Sequence, residues 1–174
     1  MTGISPRLRV LVVEDELLIR WSIAETLGHA GHTVIEADNG AAAVRALTNS
    51  AEAVDVVMLD YRLPDSNDLT LLAAIRRLSP RSGVILMTAH GTPEVRKGAL
   101  DLGAYEVMHK PFELHDLEPL LLKAFRRERS QSEHAPIDPP VGGRDDLRGG
   151  LPMLPGFSCS HRLLVGLGLR DGVD

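Results

Sequence analysis

The sequence predicts an α/β fold: five βα units in succession, forming a doubly wound, five-stranded parallel sheet with helices on both faces. Three observations carry this. Between residues 8 and 129, short apolar runs alternate with segments whose apolar residues recur at helical spacing. Strict alternation of that kind implies a parallel sheet. Two of the runs, VDVVMLD (54–60) and GVILMT (83–88), are almost continuously apolar, as strands covered on both faces must be. Right-handed crossovers leave few ways to connect five such strands, and 2-1-3-4-5 is the commonest doubly wound order.

Each element has its own signal. Leu8–Val13 reads as the first strand, and Ile19, Ile23 and Leu27 place a helix after it, with Gly31 positioned to end it. HTVIEA (32–37) is the second strand. Asp38 or Asn39 is placed to cap the next helix, which carries Val44 and Leu47. Residues 54–60 form the third strand, and Leu69, Leu72 and Ile75–Leu78 mark the third helix. Residues 83–88 form the fourth. Thr92 as N-cap, Pro93 at the first helical position and Gly103 beyond the end bracket the fourth helix. Gly98 inside it costs about 1 kcal/mol relative to Ala and reads either as freedom to shift or as close packing. YEVMH (105–109) is a weaker fifth strand, and Leu117, Leu120, Leu121 and Ala124 mark a fifth helix with Pro119 early in it. Residues 1–7 are a short lead. From Ser130 the chain turns Pro- and Gly-rich without a period, as in HAPIDPPVGGRDDLRGGLPMLPGF, and residues 130–174 read as a mostly disordered tail.

Composition narrows the function. The net charge of -5 argues against a nucleic-acid binder, which is usually basic. Cys159 is the one cysteine, so no intramolecular disulfide forms, which fits a reducing compartment. The sequence before the first strand lacks the apolar core of a signal peptide, and no run reaches the ~18 apolar residues of a membrane helix. A cytoplasmic protein is the expectation.

LRVLVVEDELLIR (8–20) poses the functional question. Three carboxylates, Glu14, Asp15 and Glu16, close a strand that reads as buried, and burying charge is costly unless it is paired. In the parallel frame Glu14 and Asp15 lie at the carboxyl end of strand 1, Asp60 ends strand 3, Thr88 ends strand 4, and Lys110 follows strand 5. All these ends share one edge, so the acids stand at a rim with partners within reach. Clustered carboxylates invite a hard divalent cation such as Mg²⁺, which takes one or two of them and completes its shell with water and phosphate oxygens. A carboxylate is also a nucleophile toward phosphorus, with Lys and hydroxyl donors meeting the developing charge. Asp60, central among them, is the best nucleophile. Glu16 reads as an acid favoured at a helix start. His90 borders the same mouth as a candidate modulator, and Trp21 reads as a helix-face residue.

VVEDE, MLDYRLPD, LMTA and HKPF, in order on a fivefold βα pattern, resemble a response-regulator receiver domain over residues 8–129. LPDSNDLTLL with GTPEVRKGALDLGA is most similar to receivers of the nitrogen-regulator type. These often precede a sigma-54-activating ATPase, whose motifs are not seen in this sequence, so a stand-alone receiver is the expectation. The resemblance implies a flavodoxin-like fold, with Asp60 as phosphoacceptor and metal ligand. It implies Mg²⁺ or Mn²⁺ held directly by Asp15, through water by Glu14, and by the backbone carbonyl of Arg62. Thr88 would bond the phosphoryl group, Lys110 would pair with it, and the Lys110–Pro111 bond would be cis. A sensor histidine kinase or phosphotransfer protein would be the donor and an unidentified downstream protein the target. A homodimer through the helix 4–helix 5 face is a further expectation, without direct nucleic-acid or membrane binding. Two positions depart from the family pattern. Val107 replaces the usual switch aromatic, and alternation would put Tyr105 on its face as a substitute. Asp68 replaces a loop glycine, where Asn67 or Asp68 tolerates left-handed backbone or caps the third helix.

Three rival functions fit these residues less well. A haloacid-dehalogenase-type phosphohydrolase needs a second Asp two residues after its nucleophile, and that position is Arg62. A flavodoxin-like cofactor carrier needs a phosphate-cradling loop after strand 1, where EDE would repel phosphate. A pseudo-receiver scaffold would act without phosphorylation; the intact site residues speak against it and Val107 for it. The expected chain is therefore not an enzyme beyond its own phosphorylation and dephosphorylation.

Overall fold

The computed structural model describes residues 5–133. Its elements are β1 (Arg9–Val13), α1 (Leu17–His29), β2 (Thr33–Ala37), α2 (Gly40–Asn49), β3 (Val56–Asp60), α3 (Thr70–Leu78), β4 (Gly83–Thr88), α4 (Pro93–Asp101), β5 (Glu106–His109) and α5 (Leu117–Glu133), with a 3₁₀ turn at Leu114–Asp116 before α5. All four strand pairings are parallel, in the expected order β2-β1-β3-β4-β5.

Side-chain alternation divides the core between the two faces of the sheet. Leu11 and Val13 of β1, Val57 and Leu59 of β3, and Val84 and Leu86 of β4 pack with Ala43 of α2, Leu72 and Ile75 of α3, and Ala99 of α4. Val10, Val12, Val56, Met58, Ile85 and Met87 point the other way, onto Ile23 and Leu27 of α1 and Leu117, Leu121 and Ala124 of α5. Every residue of β3 and β4 is buried, which is why those two runs carry no polar alternation.

The helix ends follow the capping signals. The Asn39 side chain accepts the Ala42 amide at the start of α2, and Thr92 accepts that of Val95 with Pro93 next to it in α4. Gly31 and Gly103 follow α1 and α4 at φ 91° and 93°, where a side chain would be strained. Asp68 accepts the Thr70 amide at 2.8 Å in a turn that leads into α3, whose N-cap position is Leu69. Gly98 serves close packing: a Cβ there would meet Leu69 Cδ1 at 2.8 Å.

Two expectations are corrected. Helix α5 does not stop at 129 but runs to Glu133. Its apolar stripe ends near Phe125, so the last turn, RSQSE, has no core-facing signal to read. The rest of the 130–174 tail, with Cys159, lies outside the described residues. Second, Tyr105 does not share a face with Val107. Val107 is buried among the α2–α4 side residues, whereas Tyr105 packs on the α1–α5 side with Arg127 over its ring at 5.6 Å. Alternation holds only in extended backbone, and Tyr105 sits at a bend before β5 begins.

Candidate functional site

The sheet register assembles the site. Val13 pairs with Leu59, so Glu14 emerges opposite Asp60, the last residue of β3. Asp60 pairs with Met87, and Thr88 with His109, so Lys110 leaves the sheet one position beyond Thr88. The Lys110 amide donates to the Thr88 carbonyl at 2.9 Å, and the Lys110–Pro111 peptide is cis.

At this edge Glu14 is fully buried, Asp60 is 7% exposed, and Asp15 opens to solvent. One oxygen from each of the three lies within 4.8 Å of the others. A single ammonium faces them: Lys110 Nζ donates to Glu14 Oε2 at 2.6 Å and to Asp60 Oδ2 at 3.0 Å. Burial, reinforced by the Asp60 charge, pushes the Glu14 carboxyl above its ordinary value against the pull of Lys110. For Lys110, burial works to lower the pKa, but hydrogen bonds and charge from Glu14 and Asp60 outweigh it and raise the value. The lysine therefore stays charged.

The donors are all oxygen, and Asp15 leaves one side open to water. That set fits Mg²⁺ or Mn²⁺ and lacks the imidazole or thiolate ligands that favour softer metals. Asp15, Asp60 and, at longer reach, Glu14 would hold it. Arg62 lies on the loop after β3, where its amide donates to Asp60 Oδ1 at 3.4 Å. Thr88 is buried at the same edge, its hydroxyl accepting the His90 amide at 3.2 Å. His90 is exposed beside it, and Trp21 stands on the outer face of α1 at 56% exposure.

The structure adds two residues that the sequence did not single out. Arg20 of α1 donates to the Glu14 carbonyl at 2.7 Å and to Glu36 Oε2 at 3.2 Å, fastening the acid loop to β2. Asp65 receives the Gly40 and Ala41 amides at 2.8 and 2.9 Å, joining the β3–α3 loop to the start of α2. Arg20 falls at an ordinary polar position of an amphipathic helix, and Asp65 looks like a turn residue. Glu36 and the start of α2, which these side chains reach, lie 16 to 25 residues away, so neither residue carries a local signal.

Comparison with known proteins agrees with this geometry. A family model described as the response regulator receiver domain matches residues 10–121. The DNA-binding transcriptional regulator NtrC of Escherichia coli K12 is 33% identical over 124 residues, covering 71% of this chain and 26% of NtrC. The transcriptional regulatory protein TcrA of Mycobacterium tuberculosis is 36% identical over 141 residues, covering 80% of this chain and 52% of TcrA. The chain thus spans between a quarter and about half of these relatives. Among solved structures, NtrX from Brucella abortus in complex with ADP superposes with a TM-score of 0.65 at 30% identity, covering 74% of this chain and 28% of NtrX. A receiver domain protein from Clostridium thermocellum gives 0.66 at 28% identity, covering 71% and 98%. Among the described residues no helix is long and apolar enough to cross a membrane.

Proposed function

The chain belongs to the response regulator receiver domain family, and on that premise we propose that Asp60 accepts a phosphoryl group from a histidine kinase or phosphotransfer protein and that the modified domain switches its binding to a downstream protein. The observation that carries this reading is the Lys110 ammonium bridging Glu14 and Asp60 beside the exposed Asp15. The cluster pairs a buried carboxylate nucleophile with a fixed cation.

In the reaction an Asp60 carboxylate oxygen attacks phosphorus. The O–P bond forms as the P–N bond to the donor histidine breaks, and the released imidazole nitrogen takes up a proton. Lys110 holds Asp60 in place beforehand and meets the phosphoryl oxygens afterwards. The Thr88 hydroxyl exchanges its bond with the His90 amide for one to the phosphoryl group. Asp15, Asp60, the Arg62 carbonyl and, through water, Glu14 would hold a Mg²⁺ or Mn²⁺ ion, which would supply charge neutralisation, and a cytoplasmic setting is part of the same reading.

The output is binding rather than turnover on external substrates. NtrC and TcrA are transcriptional regulators by name, and we read this chain as acting through a protein partner, since its acidic balance suits direct DNA contact poorly. With Val107 in the aromatic's place and Tyr105 on the opposite face, the switch would be relayed by Thr88 and Val107 without a rotating ring, and a homodimer through the α4–α5 face is one output this allows.

Intact-mass spectrometry with Mg²⁺ and acetyl phosphate tests the reading. One phosphoryl adduct is expected on the native chain and none on Asp60→Asn or in EDTA. A folded native chain that takes no phosphoryl group, from acetyl phosphate or from a cognate kinase, would instead favour a scaffold acting without phosphorylation.

A further inference from the structure

Beyond the β1–β3 ladder, which pairs Val13 with Leu59, the two loops that carry the acids are joined among the described residues by the bridge through Lys110. Both are bonded to a third segment that contributes no acid to the site, the β2–α2 connection at residues 36–41. On one side the Glu14 amide donates to the Ala37 carbonyl at 3.0 Å, and Arg20 links the Glu14 carbonyl to Glu36. On the other side both Asp65 carboxylate oxygens take the amides of Gly40 and Ala41. The loop after β3 is tight at that point. Leu63 and Ser66 exchange two backbone bonds, at 2.7 and 3.2 Å, with Pro64 and Asp65 at the turn between them. Whatever fixes Asp65 therefore fixes Arg62 and the exit from Asp60. Asn39 caps α2 from within at the Ala42 amide alone, so Asp65 meets two further donors of the helix start that would otherwise face solvent. The approach is also close: a Cβ on Gly40 would lie 2.9 Å from Leu71 Cδ2 and 3.2 Å from Asp65 Oδ1.

We propose that residues 36–41 are the common anchor that sets the spacing of the two ligand-bearing loops, and that Asp65 is the positioning residue through which the β3–α3 loop is held to it. Asp65 touches neither metal nor phosphoryl group. It acts by limiting how far the Arg62 loop drifts from Glu14 and Asp15, as outer partners do for metal ligands elsewhere. The inference rests on the metal-dependent phosphoacceptor reading.

The test is Mg²⁺ binding by isothermal titration calorimetry, with no phosphoryl donor present, on the native chain, Asp65→Ala, Asp65→Asn and Asn39→Ala. Asp65→Ala is expected to weaken Mg²⁺ by about tenfold, the low end for an outer-shell partner. Asp65→Asn keeps one acceptor oxygen and should fall between Ala and native. Asn39→Ala removes a cap from the same helix without cutting the tie, and should bind within about twofold of native. In a phosphorylation assay Asp65→Ala should need more Mg²⁺ for half-maximal rate yet reach a similar rate at saturation. If Asp65→Ala does not fold, Asp65→Asn against Asn39→Ala carries the comparison. Native affinity in both Asp65 variants, or an equal loss in Asn39→Ala, overturns the anchor while leaving the receiver reading intact. A native chain that binds no Mg²⁺ overturns both.

Discussion

Glu14 is the residue whose environment departs furthest from its type. It is fully buried, hydrogen-bonded to Lys110, and has a pKa above the ordinary 4.5 because of burial first and the Asp60 charge second. Its folded form therefore keeps a proton at pH values where the unfolded chain has lost it. Stability is lost as pH rises through that window rather than gained. Mg²⁺ held at the proposed site would be coupled in the opposite sense, since it would compete with that proton. Mg²⁺ affinity measured by calorimetry should fall as the buffer goes from about pH 8 to about pH 5. Glu14→Gln should bind more weakly at neutral pH and show a flatter slope; equal slopes would mean that the carboxyl is not coupled to the metal. Lys110 does not limit the range. Its raised pKa keeps its stabilisation in place up to alkaline pH, and it is lost only as pH rises through the folded value.

At the scale of elements, α5 is packed closely on the start of β4. Gly83 opens β4 beneath α5, where a Cβ would meet the Ala124 carbonyl carbon and Cβ at 3.0 Å. Two of the three nearest atoms are backbone, which cannot rotate away. Gly83→Ala should therefore destabilise the domain by roughly 1–3 kcal/mol through overpacking, read as a lower urea midpoint with unchanged slope. An unchanged midpoint would show that α5 can slide outward without cost. The same helix is tied to α3 by Glu128, which is 8% exposed and 3.3 Å from Arg76, while Arg76 also donates to the Ser82 carbonyl at 2.6 Å. These contacts hold the α5 side rigid. On the α4 side, Arg96 joins α4 to β5 through the Val107 carbonyl and an exposed pair with Glu106, and exposed pairs of this kind contribute little. Of these two helices, α4 is the one whose charged pair is exposed.

At the scale of the whole molecule, one group of exposed apolar side chains among the described residues follows the acid loop, while Leu78, Leu100 and Leu102 lie apart at the ends of α3 and α4. Leu17, Leu18 and Trp21 of α1 are 64%, 76% and 56% exposed. Leu18 also lines a cleft of about 500 Å³ with Pro111, Phe112, Leu114 and Lys110 itself. A protein donor reaching Asp60 would cover this rim, whereas a small donor would not need it. Leu18→Asp should slow transfer from a histidine kinase by about tenfold, the size of a 1.4 kcal/mol loss. Labelling by acetyl phosphate should be unaffected. Equal slowing with both donors would mean that the variant disturbs the site rather than the docking.

Local chemistry was enough to determine the five βα units, their caps and the edge on which Glu14, Asp15, Asp60, Thr88 and Lys110 meet. Period-2 and period-3.6 patterns, cap residues and the geometry of parallel strands are set by neighbours a few residues away. The resemblance supplied what local patterns do not carry, such as the cis Lys110–Pro111 bond that the structure contains. What only the tertiary structure decided are relations between distant segments. Lys110 chooses Glu14 as well as Asp60, 96 and 50 residues away. Asp65 reaches α2 rather than its own helix. Tyr105 turns away from Val107 because a bend, invisible to alternation, comes before the strand. Charge partners and packing faces are chosen among groups brought close by folding, and no local pattern encodes which of them will be nearest.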